Sequence, residues 1–307
     1  MTTKPVVVIV GPTAVGKSSI SLELAHSLET EIINADSMQL YRGMNIGTAK
    51  LSLAEREGVP HHLIDVLDVT EIANVSDYQL AARNIVKRLR ESDLVPLAVG
   101  GSGLYVTALL DDLNFPETDN QLRAELEAEL LLVGPQELHR RLRELDPVSA
   151  DRIDAANGRR IVRALEVIQL TGEPFSSSLP RSNPAVEPDL RIALLRDRAE
   201  LDQRIEERVN QMWEQGFVAE VEALMEQGLA EGVTARKALG YSQIMEALNG
   251  EITLATAKSE TIRLTKRYAR KQESWFRRDP KMIWLSASQP NLLGEILEMI
   301  REAGKNG

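Results

Sequence analysis

A parallel α/β sheet with flanking helices and a helical insertion is the fold class this sequence predicts, on three observations. Short apolar runs rich in Val and Ile alternate with segments of helical periodicity over most of the 307 residues. The first run, Val6-Val7-Val8-Ile9-Val10, passes directly into GPTAVGKS, Gly11 to Ser18, the G-x-x-x-x-G-K-[ST] spacing that joins a strand to a helix around a phosphate. Between Pro116 and Pro188 the strand signal disappears and only helical patterns remain. The class is therefore a P-loop NTPase-like parallel sheet, built from 1–115 and 189–307, interrupted by a helical insertion domain at 116–188.

In chain order, the strands are expected at Val6–Val10, Glu31–Ala35, His62–Val66, Leu94–Gly100, Leu190–Leu195 and Met282–Leu285, each a short apolar run bounded by polar or turn-forming residues. Helices are expected at Ser18–Leu28, Val75–Glu91, Leu104–Leu110 and Glu200–Gln215, where apolar residues recur at three- and four-residue spacing. The insertion contributes Leu122–Leu132, Pro135–Leu145 and Arg159–Thr171. The Ser- and Pro-rich stretch Pro174–Pro188 reads as the linker back to the sheet. Met212, Trp213, Phe217 and Leu224, at helical spacing, read as core.

Composition narrows the function classes. With 43% hydrophobic and 27% charged residues the chain is globular, and no stretch approaches the apolar length of a membrane span. The start MTTKPVVVIV leads straight into a core strand, so no cleavable signal and a cytosolic location are expected. No cysteine is present, which excludes disulfides and thiolate metal sites, and the four histidines are poorly spaced for zinc. Any metal is then expected to be Mg²⁺ held together with phosphate.

The loop itself carries the chemistry. Gly11, Pro12, Thr13, Ala14, Val15 and Gly16 form a turn whose backbone N–H groups face the phosphates, Lys17 adds a point charge, and the Ser18 hydroxyl is a ligand for Mg²⁺. NADSMQLY, Asn34 to Tyr41, falls at the carboxyl end of the second strand, where ligands of such sheets bind. A carboxylate there orients or deprotonates an acceptor, so Asp36 is a candidate general base; a helix N-cap or an outer Mg²⁺ contact are the alternatives. GGSGLY, Gly100 to Tyr105, is a second glycine turn facing the same side, with Ser102 either functional or merely part of a close backbone approach. His61-His62 reads as packing and capping.

The net charge of −10 argues against nucleic acid until its distribution is considered. Eight basic residues and two acids lie between Arg263 and Lys281, and Arg263, Lys266, Arg267, Arg270 and Lys271 fall on one side of a helix. A second cluster is Arg152, Arg159, Arg160 and Arg163. Either alone reads as a solvated face, whereas two in an acidic chain point to RNA.

Taken together, GPTAVGKS, NADSMQLY, MNIGTAK (Met44 to Lys50), PHHLIDV (Pro60 to Val66), GGSGLY, GRRIVRALEV (Gly158 to Val167), ARKALGY (Ala235 to Tyr241) and RYARKQESWFRR (Arg267 to Arg278) run from end to end in the order of one family. The chain resembles the bacterial tRNA dimethylallyltransferases, also called IPP transferases. Ser18 and Ser102 stand where many relatives have Thr, and Asn45 where Asp is common; hydroxyl and polar character are kept.

The resemblance implies transfer of the dimethylallyl group of dimethylallyl diphosphate to N6 of the adenosine 3′ to the anticodon, position 37, in tRNAs reading codons that begin with U. Gly11 to Ser18 and Arg208 would hold the diphosphate with Mg²⁺. Asp36 would be the base, with Lys17 and Arg208 assisting departure of diphosphate. The base must be flipped out of its stack. Asp36, Ser37, Met38, Gln39 and Ser102 would touch it, while Arg123, Arg159, Arg160, Ile161, Val162, Arg163, Arg236, Arg270, Lys271, Gln272 and Arg277 would contact the surrounding tRNA. The insertion would clasp the anticodon stem-loop, and the protein would act as a monomer. A small-molecule kinase, an adenylate isopentenyltransferase or a non-catalytic RNA-binding NTPase are the alternatives; the first two have little use for the basic helix, and the third needs no Asp36 with Arg208.

Overall fold

The computed structural model describes residues 4–111, 113, 118–178, 186 and 188–305. Among the described residues six parallel strands form one sheet: β1 (Val6–Val10), β2 (Ile32–Asn34), β3 (His61–His62), β4 (Leu97–Gly100), β5 (Asp189–Leu195) and β6 (Ile283–Ser286), in the order β3-β2-β4-β1-β5-β6. β1 is fully buried and pairs on one side with β4 (Val7 with Leu97) and on the other with β5 (Val7 with Leu190). A strand covered on both faces needs apolar residues at every position, which is why VVVIV shows no alternation.

The sheet is flanked by α1 (Lys17–Ser27), α2 (Val75–Glu91), α3 (Gly103–Leu110), α8 (Arg198–Glu214), α11 (Leu254–Phe276) and α12 (Leu292–Ala303), while α9 (Phe217–Glu226) and α10 (Tyr241–Leu248) pack away from it. One face buries Val8, Val10, Ala98 and Ala193 with Tyr78, Leu109 and Phe276; the other buries Val7, Ile9 and Ile192 with Leu24, Ile205 and Ile296. A further core, around Tyr41, Met44, Phe217, Val221 and Tyr241, forms beyond the carboxyl ends of the strands. Phe217 stands there edge-on to Trp213 and to Tyr241, with ring centroids 5.3 and 4.8 Å apart. Among the described residues no helix is long and apolar enough to cross a membrane.

The chain divides into two compact units, 1–110 with 186–307, and 111–185. The second is helical throughout its described part: α4 (Asn120–Val133), α5 (Pro135–Leu145), α6 (Pro147–Arg152) and α7 (Gly158–Thr171). It has its own core, including Leu126, Leu138, Leu142, Ile161, Val162 and Leu165. Most of the predicted linker, and the predicted 115/116 boundary, lie outside the described residues.

One strand prediction is corrected. Of the run His62–Val66 only His62 is strand, in β3, because Leu63 and Asp65 take left-handed backbone conformations, φ 59° and 57°. Tertiary bonds hold them there: Asn34 Nδ2 donates to the Leu63 carbonyl (2.8 Å), and buried Lys50 Nζ donates to Asp65 Oδ1 (2.6 Å). The left-handed geometry ends the ladder. The helix α6 is also absent from the sequence reading; Asp146 caps it by accepting from Ser149 N (3.0 Å), and its six residues are too few to show a period.

Within the second unit the carboxylate of Glu166 is fully buried. It accepts from Arg123 Nη2 (2.8 Å), lies 3.0 Å from Arg163 Nη1, and accepts from Asp119 N (3.1 Å). Removing one partner of such a cluster strands the others. Glu166→Ala should therefore cost about 3 kcal/mol of the unit's stability, read as a lower urea midpoint. An unchanged midpoint would show that the arginines are compensated by solvent.

Candidate active site

The phosphate loop has the shape its residues predict. Gly11 and Gly16 have φ of 141° and 113°, and a Cβ on Gly11 would lie 2.7 Å from the Leu194 carbonyl oxygen of β5, so only glycine fits. Lys17 Nζ reaches back to donate to the carbonyls of Gly11 (2.9 Å) and Pro12 (2.8 Å). Arginines from other elements fasten the outside of the loop: Arg204 Nε donates to Ala14 O (2.9 Å) and Arg196 Nε to Val15 O (3.1 Å). Arg208, one turn after Arg204 on α8, donates to Thr13 Oγ1 (3.2 Å).

Asp36 follows the end of β2. Asn34 holds the turn, accepting from Asp36 N and donating to Asp36 O, both 2.9 Å. Asp36 Oδ1 accepts from Met38 N (3.0 Å), so the aspartate caps its own turn while its carboxylate faces the cavity. Ser102 Oγ, from the second glycine turn, accepts from Ser37 N (3.0 Å). Gln39 Nε2 donates to Thr48 O (3.1 Å).

These pieces line one cavity of about 640 Å³. Thr13, Lys17, Ser18 and Arg208 form its polar end; Met212, Phe217, Leu264 and Tyr241 form an apolar region; Arg267 and Lys271 stand on α11 at its wall. The wall at Gly47 and Thr48 is held by Glu220, whose carboxylate accepts from the N–H groups of Asn45 (3.1 Å), Ile46 (2.7 Å) and Gly47 (3.2 Å) and from the Tyr241 hydroxyl (2.6 Å). Glu220 thereby joins the MNIGTAK and ARKALGY segments.

The electrostatics suit an anionic ligand. Burial, followed by the neighbouring Arg208 charge, lowers Lys17 to about 7, with Asp36 acting in the opposite direction. Burial raises the Asp36 carboxyl, opposed by the Met38 and Gln39 N–H groups and by Lys17 and Arg208. Burial also lowers Arg208, with Arg204 adding to the effect.

The comparisons with known proteins agree with this geometry. Residues 39–279 match the IPP transferase family model. The chain belongs to this family. A tRNA dimethylallyltransferase of Thermobifida fusca is 55% identical over 302 residues, covering 97% of this chain and 94% of the relative. One from Salinispora arenicola is 54% identical over 300 residues, covering 98% and 87%. Among solved structures, the tRNA isopentenylpyrophosphate transferase of Bacillus halodurans superposes with a TM-score of 0.73 at 38% identity, covering 99% of this chain and 97% of that one. A eukaryotic dimethylallyltransferase acting on tRNA gives 0.85 at 25% identity, covering 99% and 80%.

The expected tRNA contacts fall into different surroundings in the structure. Arg159 and Arg160 are exposed at the start of α7, but Ile161 and Val162 are buried in the core of the helical unit, so no side-chain contact with tRNA is open to them. Arg123 and Arg163 are engaged by Glu166. Arg236 is exposed and donates to Ala230 O (3.1 Å). Gln272 is buried, 5% exposed, with its amide bonded inside the protein.

The basic stripe of α11 is divided. Lys266 and Arg270 face acids of α8, Glu206 at 3.1 Å and Asp202 at 3.7 Å, and Arg263 pairs with Glu260. Arg267 and Lys271 turn to the cavity. Arg277 pairs with Glu273 (2.6 Å) and lies 4.7 Å over the Trp284 ring. Exposed pairs of this kind contribute about 0–1 kcal/mol, so exchanging a carboxylate for a phosphate costs little.

Several residues at the site, Arg196, Arg204, Glu220 and Tyr268 among them, escape the sequence reading. Arg204 was visible as the first arginine of RIEER, four residues before Arg208. Glu220 carried no signal, being one of several acids on α9. Tyr268, inside RYARKQ, lines the cavity.

Proposed function

We propose that this chain, a tRNA dimethylallyltransferase by family, transfers the dimethylallyl group of dimethylallyl diphosphate to N6 of adenosine 37 in tRNAs reading codons that begin with U, releasing diphosphate. The observation that carries the reading is a single cavity in which a phosphate loop, a carboxylate and an apolar region meet. Its volume accommodates a small allylic diphosphate beside a flipped base.

The loop N–H groups, Lys17 and Arg208 bind the diphosphate and stabilise the charge that builds on it as the C1–O bond breaks. Thr13 keeps Arg208 aimed at the cradle. The C5 tail lies against Met212, Phe217 and Leu264, away from water. N6 of adenine attacks C1 of the allyl group, and Asp36 accepts the N6 proton; its raised affinity for protons makes it a better base than an exposed carboxylate. Ser37, Met38, Gln39 and Ser102 surround the base. No phosphoryl group moves.

Among the described residues no cluster of three or more His, Cys, Asp or Glu could hold a metal by itself. The donor set fits Mg²⁺ shared with the substrate, Ser18 Oγ supplying a hard oxygen at the cavity and the diphosphate supplying others. When bound, Mg²⁺ neutralises charge on the leaving diphosphate. Arg159, Arg160, Arg236, Arg270, Lys271 and Arg277 contact the tRNA, and the helical unit grips the anticodon stem-loop. The enzyme works in the cytoplasm as a monomer.

The test offers unmodified tRNA, AMP and ATP separately to the purified protein with Mg²⁺ and radiolabelled dimethylallyl diphosphate. Label is expected in tRNA alone; label in AMP would reassign the acceptor.

Lys17 makes diphosphate binding dependent on pH. Its ammonium, lowered to about 7 in the free site, is mostly neutral at pH 8 and is recharged beside a bound anion, so binding takes up a proton above pH 7 and weakens as pH rises. Calorimetry with inorganic diphosphate at pH 8, in two buffers of different ionisation enthalpy, should show about one more proton taken up by wild type than by Lys17→Met, a difference that falls towards zero at pH 6 once the ligand's own titration cancels. An equal difference at both pH values would remove Lys17 as the source.

A further inference from the structure

We infer that Gln272 is a positioning residue that locks the diphosphate cradle to the base-side turn, and that it makes no contact with tRNA. The inference rests on the transferase reading above. Gln272 lies on α11 between the exposed Lys271 and the partly buried Glu273, yet it is itself 5% exposed and lies against both strand ends. Its Oε1 accepts from Thr13 N in the phosphate loop (2.9 Å), and its Nε2 donates to Gly101 O in the second glycine turn (2.9 Å). A Cβ on Gly101 would lie 2.2 Å from that Nε2, so glycine at 101 is what admits the amide.

The two bonds join groups that must act together. Thr13 accepts from Arg208, which reaches the diphosphate. Beyond Gly101, Ser102 Oγ receives the N–H of Ser37, the residue after Asp36. One side chain therefore sets the spacing between the leaving-group cradle and the base that takes the N6 proton. Small errors in such spacing slow a reaction by more than the worth of the hydrogen bonds that set it. A carboxamide suits the place because it offers an acceptor at one end and a donor at the other. Ionised glutamate supplies only acceptors and would face the Gly101 carbonyl without a proton, whereas protonated glutamate restores the donor.

Gln272→Glu and Gln272→Met are compared with wild type for tRNA affinity without the diphosphate, and for KM and kcat with dimethylallyl diphosphate. Both variants should raise KM and lower kcat, each by roughly 10- to 100-fold at pH 8, with tRNA affinity within about twofold of wild type. The ratio of Gln272→Glu to wild-type kcat/KM should rise as pH falls from about 8 to 5.5, while that of Gln272→Met stays flat. Weakened tRNA binding with unchanged KM would overturn the inference and make Gln272 a tRNA contact. A Gln272→Glu ratio that stays flat with pH would also overturn it, as would failure of both variants to fold, which would leave Gln272 a purely structural residue. Wild-type protein that labels no tRNA would instead sink the transferase reading itself.

Discussion

Asp36→Asn should lower kcat by about 10²- to 10⁴-fold, the range for removing a positioned general base, and leave tRNA affinity within about twofold. Asparagine keeps an acceptor for Met38 N, so the turn that presents the residue survives. What disappears is the ability to take the N6 proton. The loss should be in kcat and not in KM for either substrate, because the proton moves only in the transition state. Single-turnover rates with saturating tRNA and dimethylallyl diphosphate check this, and near-wild-type turnover would show that another group accepts the proton.

The second large effect is expected at Lys17. Lys17→Ala removes the one ammonium inside the phosphate loop, where it bridges the Gly11 and Pro12 carbonyls and faces the cavity. Loss of a buried charge contact to the substrate weakens binding, and loss of stabilisation for the departing diphosphate slows the bond-breaking step. A combined fall of about 10³-fold or more in kcat/KM follows, since one lost donor to developing charge alone costs about 10²- to 10³-fold. tRNA binding measured alone should be unchanged. A fall of less than about tenfold would mean that Arg208 and the loop N–H groups carry the diphosphate without the lysine.

Much of this site is local in sequence and was legible for that reason. A buried parallel strand and a glycine turn need particular residues at particular spacings, so β1 and the loop after it announce themselves. Helices α2 and α5 span the predicted residues, because their apolar periods are long enough to count. The illegible parts depend on distant partners. PHHLIDV is apolar enough for a strand, and bonds from elsewhere, those of Asn34, Lys50 and the Gln39 carbonyl among them, hold Leu63 and Asp65 left-handed. The α11 stripe reads as one face on a helical projection, but Asp202 and Glu206 of α8 take up Arg270 and Lys266 of it. The run Arg159 to Val162 is continuous in sequence and divided by the helix, which turns two arginines outward and two aliphatic residues into a core.

Dimethylallyl diphosphate labelled separately in its allyl carbons and in its phosphorus decides most directly whether the phosphate loop holds a leaving group and not a phosphoryl donor. With unmodified tRNA and Mg²⁺, allyl label should enter the tRNA in equal amount to the labelled diphosphate released, with no phosphorus label on the tRNA and no need for ATP. Phosphorus label on the tRNA, or diphosphate released with no allyl label in the tRNA, would contradict it.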